Sequence, residues 1–183
     1  MKTEEKLGEA LKELMSKEPL DKITVKRLTT ICGINRQTFY YHFRDLYDLL
    51  TWIYLNETVT GLDSIQTWND ILLAFCDYVE QNKAFVLNTL SSAGRELFKE
   101  FIFNGIYAKY LRVIAYKDID GVLAVEERKF ISRFYTAAFL YSLLNWIDNG
   151  MKEDRAVLLN RLSILAEGTI DDAISKFKQA KKR

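Results

Sequence analysis

The chain has little of what most catalytic and metal-binding frameworks need. Its 183 residues include one histidine, one proline, two cysteines and eight glycines. A single histidine, His42, excludes a His-rich metal site and a Cys₂His₂ finger. No two glycines lie within ten residues of each other, so no Gly-rich loop is available to cradle a phosphate. Cys32 and Cys76 cannot build a disulfide framework, and so low a count suits a reducing compartment. There is also no excess of charge: 26 Lys and Arg oppose 25 Asp and Glu, a net of +1, so any charged surface must be local. No stretch approaches about 18 uninterrupted apolar residues, so no membrane span and no membrane partner are expected. The start, MKTEEKLGEALKELM, is acidic and amphipathic, without an apolar signal-peptide core, which points to a cytoplasmic protein. No cofactor is expected.

What is present is globular in proportion, 49% hydrophobic and 28% charged. Apolar residues recur at spacings of three and four, and no alternating run sits between turn signals, so the chain reads as all-α. About nine helices are expected, near 3–17, 25–32, 36–43, 46–60, 68–82, 84–92, 95–116, 127–149 and 155–178. Pro19 ends the first, and Gly94, the segment 117–121 and Asn149-Gly150 mark later breaks. Composition shifts once. Residues 22–44 hold five Lys and Arg and no acid, whereas the flanking segments mix both signs. We read a basic N-terminal module over 1–50, a connecting helix over about 46–60, and an aromatic-rich helical bundle over 60–183.

The segment Ile23 to Leu50, ITVKRLTTICGINRQTFYYHFRDLYDLL, carries the chemistry. Thr24 can cap one short helix, with Ile23 and Leu28 at hydrophobic-staple spacing. Eleven residues later the pattern recurs with Asn35 as cap and Ile34 and Phe39 as staple. Gly33 between them suits a left-handed turn. Two short stapled helices joined by such a turn form a helix-turn-helix, completed as a three-helix module by the first helix. Phe39 and Phe43 share the inward face of the second short helix. Gln37, Thr38 and Tyr41 lie opposite, with Arg36 and Tyr40 on the flank. Arg and Gln read guanine and adenine edges through paired hydrogen bonds. Thr, Tyr and His suit phosphates, and the absence of acids removes repulsion from a nucleic-acid backbone.

TVKRLTTICGINRQTFYYHFRDLYDLL resembles the N-terminal DNA-binding region of the TetR family of bacterial transcriptional regulators. The resemblance covers about 50 residues and includes the Thr-Val opening, the Gly-Ile-Asn turn and Thr38-Phe39-Tyr40-Tyr41-His42-Phe43. Further on, FYTAAFLYSLLNWIDNGMKEDRAVLLNRL resembles the branch that includes regulators of dihydroxyacetone kinase operons. The resemblance implies a non-enzymatic regulator that binds double-stranded DNA at a pseudo-palindromic operator. It implies base contacts from Arg36, Gln37 and Tyr41. It places Thr24, Thr38, Tyr40 and His42 near phosphates. Gln37 stands where the family often has Gly, which would rearrange the base contacts. Leu46 stands where it often has Lys, a missing phosphate contact for which Lys26, Arg27 or Arg44 would compensate.

Beyond residue 60 the expectations are broader. The resemblance implies an effector pocket in the bundle, for which Phe98, Phe101, Tyr107, Tyr110 and Tyr135 are candidates, although aromatic stripes are commonly core. The last two helices carry more apolar positions than one packing face needs. Phe130, Phe134, Leu144, Ile147, Leu158, Leu162 and Leu165 would therefore build the homodimer that family members form. Control by a small molecule, or by a docked protein co-activator as in that branch, are both open. A purely structural helical module would leave residues 36–44 unexplained. Cys32 and Cys76 read as packing, with redox sensing the alternative for Cys32. The basic tail KFKQAKKR reads as a solvated end.

Overall fold

The computed structural model describes residues 2–59 and 67–181. The expected domain boundary at residue 60 and the last two residues of the basic tail lie outside these. Among the described residues there are ten α-helices and no strand: α1 (Thr3–Met15), α2 (Val25–Cys32), α3 (Arg36–His42), α4 (Leu46–Asn56), α5 (Trp68–Gln81), α6 (Lys83–Leu90), α7 (Arg95–Lys117), α8 (Val125–Asp148), α9 (Arg155–Ala166) and α10 (Thr169–Ala180). The fold is all-α. The expected helix over 155–178 is two helices, because Gly168 takes φ +74° between them, a conformation that L side chains resist.

The chain gathers into two compact units, residues 1–58 with 78–101, and residues 59–77 with 102–183. Helices α5 and α7 therefore each contribute to both.

In the first unit α1 buries Leu7, Leu11, Leu14 and Met15 and packs on α2, α4 and α6. The Asn88 amide donates to the Met15 carbonyl at 2.8 Å, closing the C-terminus of α1. Tyr54 of α4 sits in an aromatic cluster, stacked on Phe101 at 5.1 Å and within 5.8 and 6.1 Å of Phe85 and Phe98. Its hydroxyl meets the Thr89 hydroxyl at 3.2 Å, which satisfies a buried polar pair.

The turn between α2 and α3 is chemically determined. The Gly33 N–H donates to the Thr30 carbonyl and the Ile34 N–H to the Thr29 carbonyl, the paired bonds of a Schellman motif. Gly33 has φ +63°, and a Cβ there would meet nothing within 4 Å. Strain, not space, therefore opposes a side chain. We expect Gly33→Ala to lower stability by about 1–2 kcal/mol and Gly33→Asn by less, measured by urea unfolding. Equal stability of Gly33→Ala and wild type would contradict the assigned strain.

The second unit is built on α8, whose Ile131, Phe139, Leu143, Trp146 and Ile147 are buried. Also buried in this unit are Ile71 and Phe75 of α5, Ile106, Tyr110 and Ile114 of α7, Leu158 of α9, and Ile170 and Ile174 of α10, and α10 packs on α8 and α9. The Trp146 indole N–H donates to the Glu153 carbonyl at 2.9 Å, tying the α8–α9 turn to the helix before it.

Candidate nucleic-acid interface

The two short helices begin as their caps dictate. Thr24 Oγ1 accepts from the Arg27 N–H at 3.2 Å, and Asn35 Oδ1 accepts from the Thr38 N–H at 2.7 Å. The Thr38 hydroxyl donates to the same Asn35 oxygen at 3.0 Å, which orients the cap. Inward, Phe39 is wholly buried, and Phe43 packs against it at 6.0 Å and edge-on against Trp52 of α4 at 6.0 Å. Two aromatic anchors four residues apart thus hold α3 against its module. The outward face carries Arg36, Gln37, Tyr40 and Tyr41, all exposed, with Tyr41 85% accessible. Such exposure has no packing rationale, since a Tyr ring in water forgoes burial.

The phosphate-type candidates divide. Thr24, Lys26, Tyr40 and Arg44 are exposed, whereas Thr38 and His42 are half-buried. Arg27 is ion-paired with Glu18. Arg44 Nη2 lies 3.6 Å from Asp48, which also accepts the Arg44 N–H at 3.0 Å. His42 Nδ1 lies 3.0 Å from Glu4 Oε1 of α1. The acid-free stretch is therefore flanked in space by Glu4, Glu18 and Asp48. Sequence reasoning gave no role to Glu4 or Glu18, and their distance along the chain gave no signal. Leu46, where a lysine was looked for, is buried against the module.

The effector candidates do not converge on one site. Phe98 and Phe101 belong to the Tyr54 cluster of the first unit. Tyr107 stacks on Phe103 at 5.9 Å. Only Tyr110 and Tyr135, 6.2 Å apart, line a common groove, of about 300 Å³ in the second unit. That groove also takes in Phe134, Leu162 and Leu165, which were read as dimer residues, and Leu72 and Phe139, which were not singled out. Among the dimer candidates, Phe130, Phe134 and Leu165 are exposed and Leu144 and Leu162 half-buried. Ile147 and Leu158 lie in the core of their own unit. Among the described residues no group of three metal-ligating side chains comes together, and no helix is long and apolar enough to cross a membrane.

An all-helical chain that opens with a helix-turn-helix and continues into an aromatic bundle has the architecture of a TetR-type regulator. The chain belongs to that family: residues 66–168 match its transcriptional regulator C-terminal region. Among curated proteins it is similar to the HTH-type dhaKLM operon transcriptional activator DhaS of Lactococcus lactis subsp. lactis (strain IL1403), with 30% identity over 86 residues. That alignment spans 45% of this chain and 46% of the relative, about half the length of each. Among solved structures it resembles the dihydroxyacetone kinase operon activator DhaS, with a TM-score of 0.68 and 22% identity over 92% of this chain and 96% of that one. This second likeness shows the fold.

Proposed function

We propose that this transcriptional regulator binds DNA as a homodimer, places α3 of each copy in the major groove of a pseudo-palindromic operator, and answers to an effector held by its second unit. The observation that carries the reading is the outward face of α3. Arg36, Gln37 and Tyr41 are exposed on a helix capped by Asn35 and anchored by Phe39 and Phe43. Arg36, Gln37 and Tyr41 would contact bases, and Thr24, Lys26, Arg27, Thr38, Tyr40, His42 and Arg44 would contact phosphates. Residues 1–50 would then be the DNA-binding domain and 60–183 the sensing and dimerisation domain. The similarity to a dhaKLM operon activator favours activation over repression.

Dimerisation is supported by apolar residues that α8 and α9 leave on the surface. Phe130, Phe134 and Tyr141 recur along α8, and Ile164 and Leu165 stand out on α9. The second unit has more apolar surface on these helices than its own core uses. Effector occupancy would alter DNA affinity through α7, a continuous helix whose residues 95–101 belong to one unit and 102–117 to the other. Such coupling is typically about 1–3 kcal/mol.

The test is binding to a pool of fragments from the source genome, including the DNA upstream of its own gene, at two salt concentrations. We expect one pseudo-palindrome to bind tightly, with half-sites separated by about one helical turn or a little more and a steep loss of affinity with salt. Weak binding that is equal on all fragments would count against the reading. Equilibrium sedimentation should show a dimer at micromolar concentration, and a monomer alone would sink the dimer.

A second reading keeps the DNA role and replaces the metabolite by a protein co-activator. Tyr116 and Ile119, both more than 85% exposed at the end of α7, favour it as an apolar contact surface. A small molecule that dissociates the DNA complex would decide against it.

A further inference from the structure

The groove in the second unit has a floor, a rim and an unusual chemistry. Its floor is Leu72, Tyr110 and Phe139, each only 2% exposed. Its rim is Phe134 and Leu165, 64% and 71% exposed. None of its eleven lining residues is an acid, a base or a histidine. A charged ligand would lose its hydration there and find no counter-charge, so phosphates, carboxylates and ammonium groups are disfavoured. Two of the four hydroxyl-bearing lining residues already donate to backbone carbonyls. Ser142 donates to Ala138 at 2.9 Å and Thr169 to Ala166 at 3.1 Å. The phenols of Tyr110 and Tyr135 remain to fix orientation. Burial pushes the Tyr110 phenol well above the ordinary tyrosine range, with Tyr135 adding to the shift, so it stays protonated and serves as a donor. A polyol would leave most of its own hydroxyls unpaired against this lining.

Size narrows the class further. An apolar cavity of about 150 Å³ holds one benzene ring, so the volume here of about 300 Å³ suits roughly two rings. The rim residues are also part of the exposed stripe on α8 and α9. An interface closed over an empty groove would forfeit dispersion contacts on both sides, and a bound molecule would restore them.

We propose that this groove binds a small neutral aromatic molecule carrying a hydrogen-bond acceptor, and that a second copy of the chain closes its mouth and completes the site. The sealing rests on the homodimer reading above; the ligand class does not.

The test uses the full chain and two probes that differ by one charge. 6-Acetyl-2-dimethylaminonaphthalene is neutral, with two fused rings and a carbonyl acceptor, and 6-dimethylaminonaphthalene-2-sulfonate has the same two rings with a sulfonate in place of the acetyl group. Fluorescence titration should show the neutral probe binding about tenfold or more tightly than the sulfonate. Ala138→Trp alters an exposed position on the groove wall and adds an indole there. It should weaken the neutral probe by about tenfold or more without lowering Tm. Equilibrium sedimentation with the neutral probe should shift the chain toward dimer.

Equal or tighter binding of the sulfonate would overturn the ligand class. Wild-type binding by Ala138→Trp would overturn the location. A probe that weakens the dimer would show a partner side chain filling the groove and would overturn the sealing. A monomer that still binds the neutral probe removes both the dimer and the sealing but leaves the ligand class standing. A dimer that ignores the probe removes the ligand proposal and leaves the dimer standing.

Discussion

The double substitution Arg36→Ala with Tyr41→Ala will abolish discrimination between the preferred DNA fragment and a scrambled one, and will leave the fold intact. The asymmetry follows from where these side chains sit. Both are exposed on α3, and Tyr41 is 85% accessible, so truncation removes little packing. Surface changes of this kind usually fall within about 0.5 kcal/mol of wild type. Phe39 and Phe43, which hold the helix, are untouched. A single good base contact is worth about 1–3 kcal/mol of discrimination, so losing Arg36 alone should relax base preference about 5- to 150-fold. Losing both should bring the affinity close to the non-specific level, typically about 10³-fold or more above the specific dissociation constant. Lys26→Ala, by contrast, should weaken binding to every fragment alike and reduce the salt slope by about one. Competition binding on both fragments at two salt concentrations separates the two behaviours. Unchanged sequence preference in the double variant would remove Arg36 and Tyr41 from the recognition surface.

What could be read in the sequence and what could not divide by distance along the chain. The helix-turn-helix was legible because its determinants are local. The Thr24 and Asn35 caps bond three residues ahead, and the Gly33 turn closes between Thr29 and Ile34. The Phe39–Phe43 face follows from helical period alone. The break at Gly168 was missed because apolar residues continue in helical spacing on both sides of it, while one left-handed glycine suffices to interrupt the helix. The groove was only half legible. Periodicity identifies an apolar face but not its partner, so Tyr110 and Tyr135 looked no different from Phe98 and Phe101, which pack with Tyr54 instead. Least legible were ion pairs made by distant residues. Lys178 and Lys181, read as members of a solvated tail, reach residues 58 and 59 positions back along the chain.

Those lysines motivate the second large effect: Asp118→Ala will lower Tm on the order of 2–12 °C, from a loss of about 1–3 kcal/mol. Asp118 is 4% exposed in the turn between α7 and α8. It accepts from the Val122 and Leu123 N–H groups at 3.2 and 3.1 Å, and meets Lys178 Nζ at 3.1 Å and Arg128 Nε at 3.4 Å. Lys178 also reaches Asp120, and Lys181 binds Glu127 at 2.6 Å and the Val122 carbonyl at 2.7 Å. One buried carboxylate thus organises a turn and clasps α10 to it. Removing it leaves two N–H donors without their acceptor and deprives two cations of their shared partner. Burial by itself would raise the Asp118 carboxyl, but the Lys178 hydrogen bond, the Leu123 N–H and the charges of Lys178 and Arg128 outweigh it and hold the carboxyl below its ordinary value.

A carboxyl depressed in the folded state stabilises the fold above its unfolded value, near pH 4, and loses that contribution as pH falls through the lower folded value. The Tm difference between wild type and Asp118→Asn should therefore be constant near neutrality and shrink below about pH 4. A difference that stays constant down to about pH 2 would mean that the ionised carboxylate is not what holds the turn. The consequence reaches the groove, because Thr169, the first residue of α10, lines it. Loosening the far end of α10 should weaken the neutral probe in Asp118→Ala at temperatures where the variant is still folded. Lys178→Met leaves Arg128 and both N–H groups on the carboxylate, so it should weaken the probe less.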